Sequence, residues 1–263
     1  MASIGIFPFG EQVQNIIQTD RKPKRVFILG VYASAVHAHW IGENQKSVVT
    51  ALAVSSEPYI FWRGENAESI ISNISIPRQL GTLVPAQRQF NGPSGIALDD
   101  LILKPLSLTR SDAWLCDLVP HSCMNSSQYE AIRRAYLPIA QEFDLPVPTV
   151  PPVPKVLVNK ERRESILSEI HESKANVLVL LGDMPIQWFL THFDPHWHSL
   201  KDFGSANLSY GQLHLVKIGS KTFHILPLAH PRQIAKLGQS SHHWHQEHST
   251  WIEHTARVVA KSF

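Results

Sequence analysis

Four short segments of the chain carry side chains whose types and spacing could do chemistry. The apolar run WLCDLVP contains a carboxylate, Asp117, and the segment AHPRQ contains His230 after a strand-like run. The other two segments are GVYASA and FNGPSG. An ionised carboxylate in an apolar strand is costly unless it is paired or neutralised, so Asp117 is either solvated or used.

Two interpretations of Asp117 are open at this point. An Asp beside Pro and Ser most commonly caps the following turn or helix. A carboxyl buried in an apolar strand instead has a raised pKa, and in its protonated form it both donates and accepts a hydrogen bond.

Composition bounds the class of protein. With 263 residues, 43% hydrophobic and 17% charged, the chain can bury a full core, and we expect one soluble domain over residues 1–263. The N-terminal segment has no basic-then-apolar leader, which predicts a cytoplasmic protein. Two cysteines, Cys116 and Cys123, are too few for a disulfide framework or a four-cysteine metal site. A net charge of +2 permits an anionic partner without requiring one.

Apolar and β-rich runs predict the strands that position these segments. They cover RVFILGVY at 25–32, VVTALAVSS at 48–56, YIFW at 59–62, AWLCDLVP at 113–120, VLVLLGD at 177–183, and a two-strand unit at 213–231. The first strand is expected to pass into a loop at the small residues ASA.

Helical spacing predicts helices between these strands, at 96–104, 126–143, 160–173, 185–190 and 241–263. A loop-rich excursion is expected at 63–95, and the five prolines of 146–154 predict a stiff connector. The alternation predicts an α/β fold, a three-layer α/β/α sandwich around a mainly parallel central sheet. Functional loops are then expected beyond the carboxyl ends of its strands.

Taken in chain order, as GVYASA, FNGPSG, CDLVP and AHPRQ, the four segments resemble the uracil-DNA glycosylase superfamily. The most specific stretch is FNGPSGIALDDLILKPLSLTRSDAWLCDLVP, and the resemblance covers most of residues 7–240. It implies a uracil-DNA glycosylase-like fold and a base flipped out of double-stranded DNA into a pocket.

The resemblance also implies roles for individual residues. Phe90 would stack on the flipped base, and His230 would stabilise negative charge on the departing base. The loop after His230 would contact DNA, with Ile234 as an apolar wedge that fills the space of the flipped nucleotide. Its DNA-binding residues would be Arg232, Gln233, Ile234 and Lys236.

Asp117 departs from the family pattern, which has Asn at the base-reading position. A carboxylate only accepts hydrogen bonds, which disfavours uracil. A protonated Asp117 could accept from N4 of cytosine and donate to N3, and its proton would help the base to leave. Asp117 is therefore predicted to read cytosine.

The segment GVYASA also departs from the pattern, since Val31 and Tyr32 stand where relatives position the attacking water. Either Asn91 or Tyr32 orients water, or dissociation of the base does most of the work, or the protein binds without cleaving. Ser34 stands where a Tyr closes the pocket against a C5 methyl, so Val31 and Ser34 are predicted to line an open C5 side.

These features predict a monofunctional DNA glycosylase acting on a C5-modified cytosine, such as the hydroxymethyl or glucosylated forms of phage DNA, in defence against phage. The alternatives are conventional uracil repair and a catalytically silent binder of modified DNA. We expect a monomer with no cofactor and no membrane partner. The C-terminal histidines, which include His245 and His248, lack the carboxylate or Cys of a metal motif, and no metal site is assigned.

Overall fold

The structure is a computed structural model that describes residues 3–204, 209–237 and 241–262. The chain forms two compact units. The first unit comprises Met1–Ile16, Tyr32–Pro93 and Pro120–Lys155, and the second comprises Ile17–Val31, Ser94–Val119 and Val156–Phe263. The single domain over 1–263 stays a prediction.

The strands in chain order are β1 (Val26–Tyr32), β2 (Ala35–Ile41), β3 (Ser47–Ser56), β4 (Thr82–Pro85), β5 (Ala113–Val119), β6 (Val177–Leu181), β7 (His214–Ile218) and β8 (Lys221–Leu228). The α-helices are α1 (Ala67–Ser72), α2 (Pro93–Ala97), α3 (Ser126–Ala131), α4 (Leu137–Ala140), α5 (Lys160–Ser173), α6 (Asp183–Trp188), α7 (Pro231–Ile234), α8 (Ser241–His254) and α9 (Ala256–Ala260). Two π-helical stretches, Leu98–Leu103 and Ile132–Tyr136, extend α2 and α3.

The second unit contains a five-stranded sheet in the order β5-β1-β6-β8-β7. β1 pairs in parallel with β6, and β6 with β8, whereas β7 is antiparallel to β8. All residues of β5 and β6 are buried, as is typical of strands covered on both faces. The fold is therefore mixed α/β, with a mainly parallel sheet flanked by helices.

The first unit contains a three-stranded antiparallel sheet in the order β3-β2-β4. Its core includes Phe9, Trp40 and Tyr136, and the Phe9 ring meets the other two edge to face. The Trp40 indole donates a 2.7 Å hydrogen bond to the Leu80 carbonyl, so this polar atom is satisfied within the core.

Most predicted elements are confirmed. The strand segments at 25–32, 48–56 and 113–120 correspond to β1, β3 and β5, and those at 177–183 and 213–231 to β6, β7 and β8. The predicted helices are present, although α6 begins at Asp183. In the helix predicted at 241–263, Phe263 lies outside the described residues. The connector at 146–154 contains neither a helix nor a ladder strand.

One prediction about local structure is wrong, and two hold only in part. Residues 59–62 form turns, because Pro58 lacks an N–H for a ladder and Phe61 has a left-handed backbone with φ of 55°. The loop expected at the small residues ASA is only two residues long, Ala33 and Ser34, since β2 begins at Ala35. The excursion at 63–95 is more regular than predicted, because it contains α1 and β4.

Candidate functional site

Asp117 lies in β5, the edge strand beside β1, close to the carboxyl end of that strand. The residue exposes 4% of its surface. Among the described residues, no side chain or backbone group bonds to its carboxyl group. The predicted helix cap is therefore not the role that Asp117 plays. The next helix along the chain, α3, is instead capped by Asn125, which accepts from the Gln128 N–H.

Burial raises the pKa of the Asp117 carboxyl from 3.8 to about 7, and the positive charge of Arg162 acts in the opposite direction. Desolvation dominates because it disfavours the charged form of an acid. Near neutral pH the carboxyl is therefore divided between its protonated and ionised forms. A protonated carboxyl offers one O–H donor beside an acceptor, which is the pair that the N3–N4 edge of cytosine complements.

His230 follows β8 and caps the amino end of α7. The ring Nδ1 of His230 accepts a 3.2 Å hydrogen bond from the backbone N–H of Arg232. The backbone N–H of His230 donates to Oε1 of Gln233 at 3.3 Å. Because Nδ1 accepts, the proton of the neutral ring is on Nε2. Burial, helped by Arg232, lowers the pKa of His230 to about 4. The ring is therefore neutral near pH 7, with one nitrogen available as a donor.

The end of β6 lies next to His230. Gly182 has a φ of 86°, and a Cβ added there would be 3.3 Å from the His230 Cβ. Its N–H donates to the Leu228 carbonyl at 2.7 Å, which joins the ends of β6 and β8. A glycine suits this position because the backbone is left-handed and the neighbouring loop is close.

The predicted DNA-binding loop is only partly at the surface. Arg232 and Lys236 are exposed and Gln233 is partly buried. The prediction of Ile234 as the wedge is wrong, because its side chain is 0% exposed and packs in the core of the second unit. Ile234 holds the loop instead, and its carbonyl lies 2.6 Å from Nδ1 of His245.

The segment after β1 carries three of the predicted pocket residues. Val31 is partly buried, Tyr32 is 41% exposed, and Ser34 is exposed. The Ser34 N–H donates to Oε1 of Glu57 at 2.9 Å, and the Ser34 carbonyl accepts from the Ser122 hydroxyl. The backbone at Ser34 is therefore fixed, while the predicted open C5 side stays a prediction.

Phe90 and Asn91 lie in a turn of the first unit that precedes α2. The Phe90 ring is partly buried and lies 6.5 Å from the His37 ring, centre to centre. Oδ1 of Asn91 accepts from the His37 N–H at 2.8 Å, and Nδ2 donates to the His37 carbonyl at 2.9 Å. The Asn91 amide therefore holds the backbone of β2, and a role for Asn91 or Tyr32 in orienting water stays a prediction.

Gly92 sets the shape of the same turn. Its φ is 76°, and an added Cβ would lie 2.0 Å from the carbonyl carbon of Arg63. A side chain at this position would displace the backbone of the neighbouring segment. The glycine of FNGPSG thus serves the close approach of two backbone segments in the first unit.

Two charged residues with little exposed surface were not predicted, Glu57 in the first unit and Arg162 in the second. Glu57 is 3% exposed, and its carboxylate accepts from the N–H groups of Ser34 and Trp62. The signal for Glu57 was the same as for Asp117, a carboxylate in an apolar stretch, but the following Pro58 favoured a loop. Arg162 stands between Lys160 and Arg163 in a basic stretch that is typical of a solvated surface, although its side chain points toward β5. Nothing in the sequence KERRES singles it out.

The C-terminal histidines make contacts within the second unit. The buried His248 lies between the Tyr210 hydroxyl, 3.0 Å from Nδ1, and the Leu101 carbonyl, 2.7 Å from Nε2. That hydroxyl also accepts from the N–H of Ala229, the residue before His230, at 2.7 Å.

Within 3–204, 209–237 and 241–262, no three potential metal ligands come together. No helix of the same ranges is long and apolar enough to cross a membrane.

The predicted site residues fall into two groups. Val31, Asp117 and the residues from His230 to Lys236 belong to the second unit, and Tyr32, Ser34, Phe90 and Asn91 belong to the first. The chain is a mixed α/β protein with a mainly parallel five-stranded sheet. No protein-family model matches the sequence, and no curated protein is significantly similar to it.

Proposed function

We propose that this chain is a monofunctional DNA glycosylase that flips a C5-modified cytosine out of double-stranded DNA and hydrolyses its N-glycosidic bond. The observation that carries the proposal is the buried Asp117, whose carboxyl has a pKa of about 7 at the end of an apolar strand. The proposal includes a three-layer α/β/α fold like that of uracil-DNA glycosylases, and a monomer that works without a cofactor.

The chemistry uses two titratable groups of the second unit, Asp117 and His230. Protonated Asp117 would accept from the N4 amine of cytosine and donate its proton to N3. As the bond between C1′ and N1 breaks, the electron pair goes to the base, and the proton from Asp117 neutralises it. Nε2–H of His230 would donate to the base oxygen on which charge develops. Water adds its oxygen to C1′, and its released proton restores Asp117.

A neutral His230 fits this role better than a charged one. Its pKa of about 4 keeps the ring neutral at the working pH, so it stabilises charge as a fixed hydrogen-bond donor. The hydrogen bond from Arg232 to Nδ1 selects the tautomer that carries the proton on Nε2. The donor is therefore ready before the charge develops, which is the condition for electrostatic catalysis.

The test is base release from matched duplexes that contain cytosine, 5-hydroxymethylcytosine, its glucosylated form, or uracil. We expect the wild type to release a modified cytosine and Asp117→Asn to lose that activity. Asp100→Asn, a change of an exposed carboxylate in the second unit, is the matched control. Mass spectrometry of the freed base identifies the substrate, and alkaline strand cleavage confirms the abasic site.

Two results would contradict the proposal. Release of uracil alone would favour conventional uracil repair, and Asp117→Asn should then raise uracil release. Binding without alkali-labile sites would favour a silent binder of modified DNA. One observation favours that binder as the second candidate, since both the oxygen and the nitrogen of the Asn91 amide bond to the His37 backbone. A role in defence against phage follows only if a phage-type modified cytosine is the base released.

A further inference from the structure

Arg162 contacts the strand that carries Asp117. From the first turn of α5, its Nη2 donates to the Asp117 carbonyl at 2.6 Å and its Nε donates to the Leu118 carbonyl at 3.1 Å. The side chain is 16% exposed. One guanidinium thus holds two successive carbonyls at the carboxyl end of β5, a geometry that the planar fork of arginine allows and lysine does not.

Glu169, two turns further along α5, balances this charge. Its Oε1 is 3.4 Å from Nη1 of Arg162, and its Oε2 accepts from the Trp114 indole at 3.0 Å. Nη2 of Arg162 also lies 3.2 Å from the Cys116 sulfur. Arg162 is therefore part of a buried network rather than of a phosphate-binding surface.

Strand geometry explains why Arg162 and Asp117 do not form an ion pair. Trp114 and Cys116 both face α5, since both contact Glu169. Side chains alternate along a strand, so the Asp117 carboxyl points to the opposite face of the sheet. Arg162 consequently bonds to the Asp117 carbonyl, and its charge reaches the carboxyl only through space.

We propose that Arg162 is a positioning residue for the Asp117 carboxyl and that, with Glu169 as its counter-charge, it sets how much of that carboxyl carries a proton near neutral pH. The inference deepens the proposed function and rests on it. Arg162 holds the strand end, so the carboxyl presents its donor and acceptor in a fixed direction. Burial favours the protonated carboxyl, Arg162 opposes it, and Glu169, 3.4 Å from Nη1 of Arg162, would offset part of that positive charge.

The charges around the strand end determine the direction of each effect. On the α5 side of the strand end, the charged and titratable groups include Arg162 and Glu169 of α5, Cys116 of β5, and Arg21, which lies 4.4 Å from the Trp114 ring centre and pairs with Glu172. Of these, Arg162 lowers the pKa of Asp117. Removing Arg162 should raise that pKa, and removing the negative charge of Glu169 should lower it.

The direct test is an NMR titration of the Asp117 carboxyl carbon, identified as the resonance that is absent from Asp117→Asn. We expect Arg162→Gln to move the titration midpoint upward by about one pH unit and Glu169→Gln to move it downward. Arg163→Gln, a neighbouring change on the same helix, should leave it in place. Glu169→Gln keeps an oxygen for the Trp114 indole, so it tests the electrostatic part even if Arg162→Gln does not fold.

The second readout is the pH dependence of base release. The rate of base release should fall at alkaline pH with a midpoint that follows the NMR midpoint in each variant. Arg162→Gln should also lower kcat roughly tenfold, because the carboxyl loses its positioning, with little change in KM. Midpoints equal to wild type in both variants, or shifts in the same direction, would overturn the inference. The titration uses no DNA, so a wild type that releases no base would refute the proposed function while the titration still decides the role of Arg162.

Discussion

Asn91 in the first unit and Asp117 in the second are both buried polar residues from segments that the sequence singled out, yet their side chains differ in what they bind. The Asn91 amide bonds to the His37 backbone through both its oxygen and its nitrogen. The Asp117 carboxyl has no hydrogen-bond partner among the described residues, and the network around it binds its backbone instead. A buried polar group is available for chemistry only when its hydrogen-bonding capacity is not already used by the fold.

The largest expected effect is on stability when Asp117 is replaced by Asn. The folded pKa is above the unfolded one, so the native state binds more protons between pH 3.8 and about 7, and stability falls as pH rises through that range. The full cost above pH 7 is roughly 4 kcal/mol. Asp117→Asn should therefore be more stable than wild type at pH 8 and similar to it at pH 4.

Denaturant unfolding of both proteins at the two pH values measures this difference. Asp100→Asn should show no such pH-dependent gain, because that carboxylate is exposed. A loss of stability in Asp117→Asn at pH 8 would mean that the native state stabilises the carboxylate. Asp117 would then resemble Asn91, whose side chain is bonded within the fold.

Asn91→Ala should show the opposite behaviour, a loss of about 3 kcal/mol that does not depend on pH, because the His37 N–H and carbonyl lose their partner. Urea unfolding near pH 7 measures the loss. Asn73→Ala, at an exposed position of the same unit, should change stability by less than about 0.5 kcal/mol. If Asn91→Ala is as stable as the control and lacks base release, Asn91 acts in catalysis after all.

His230→Gln should lower kcat for base release by about 100-fold, since the donor to the departing base is lost. The wild-type rate should show no loss toward acid near pH 6.5, because the His230 ring stays neutral down to about pH 4, whereas the alkaline limb near pH 7 belongs to Asp117. Rates from pH 4 to 8 give both results. The exposed His242→Gln is the control, and an acid limb at pH 6.5 in wild type would show that His230 titrates as an ordinary histidine.

The smallest effect is expected at the exposed loop residues. Lys236→Gln should weaken DNA binding several-fold and reduce the slope of log affinity against log salt by about 1, as expected when one phosphate contact is lost. Fluorescence anisotropy at several salt concentrations measures the slope. Lys221→Gln, an exposed change at the start of β8, should leave it unchanged, and equal slopes for wild type and Lys236→Gln would exclude Lys236 from the interface.

Much of the second unit was predictable because its signals are local. Uninterrupted apolar runs gave β1, β5 and β6, and the proline-rich connector excluded regular structure between α4 and α5. The first unit was less predictable. The segment AVHAHWI reads as a mixture of small residues and histidines, and its identity as β2 depends on pairing with β3 and β4 on either side.

The sequence by itself determined which side chains are available for stacking, proton transfer and hydrogen bonding, since it fixes the types and order of Phe90, Asp117 and His230. Only the tertiary structure decided which of the singled-out groups keep that ability. It commits the Asn91 amide to a backbone, buries Ile234, and turns Arg162 toward β5. The physical reason is that hydrogen-bond partners and burial come from residues far apart in the chain, such as the 54 positions that separate His37 from Asn91.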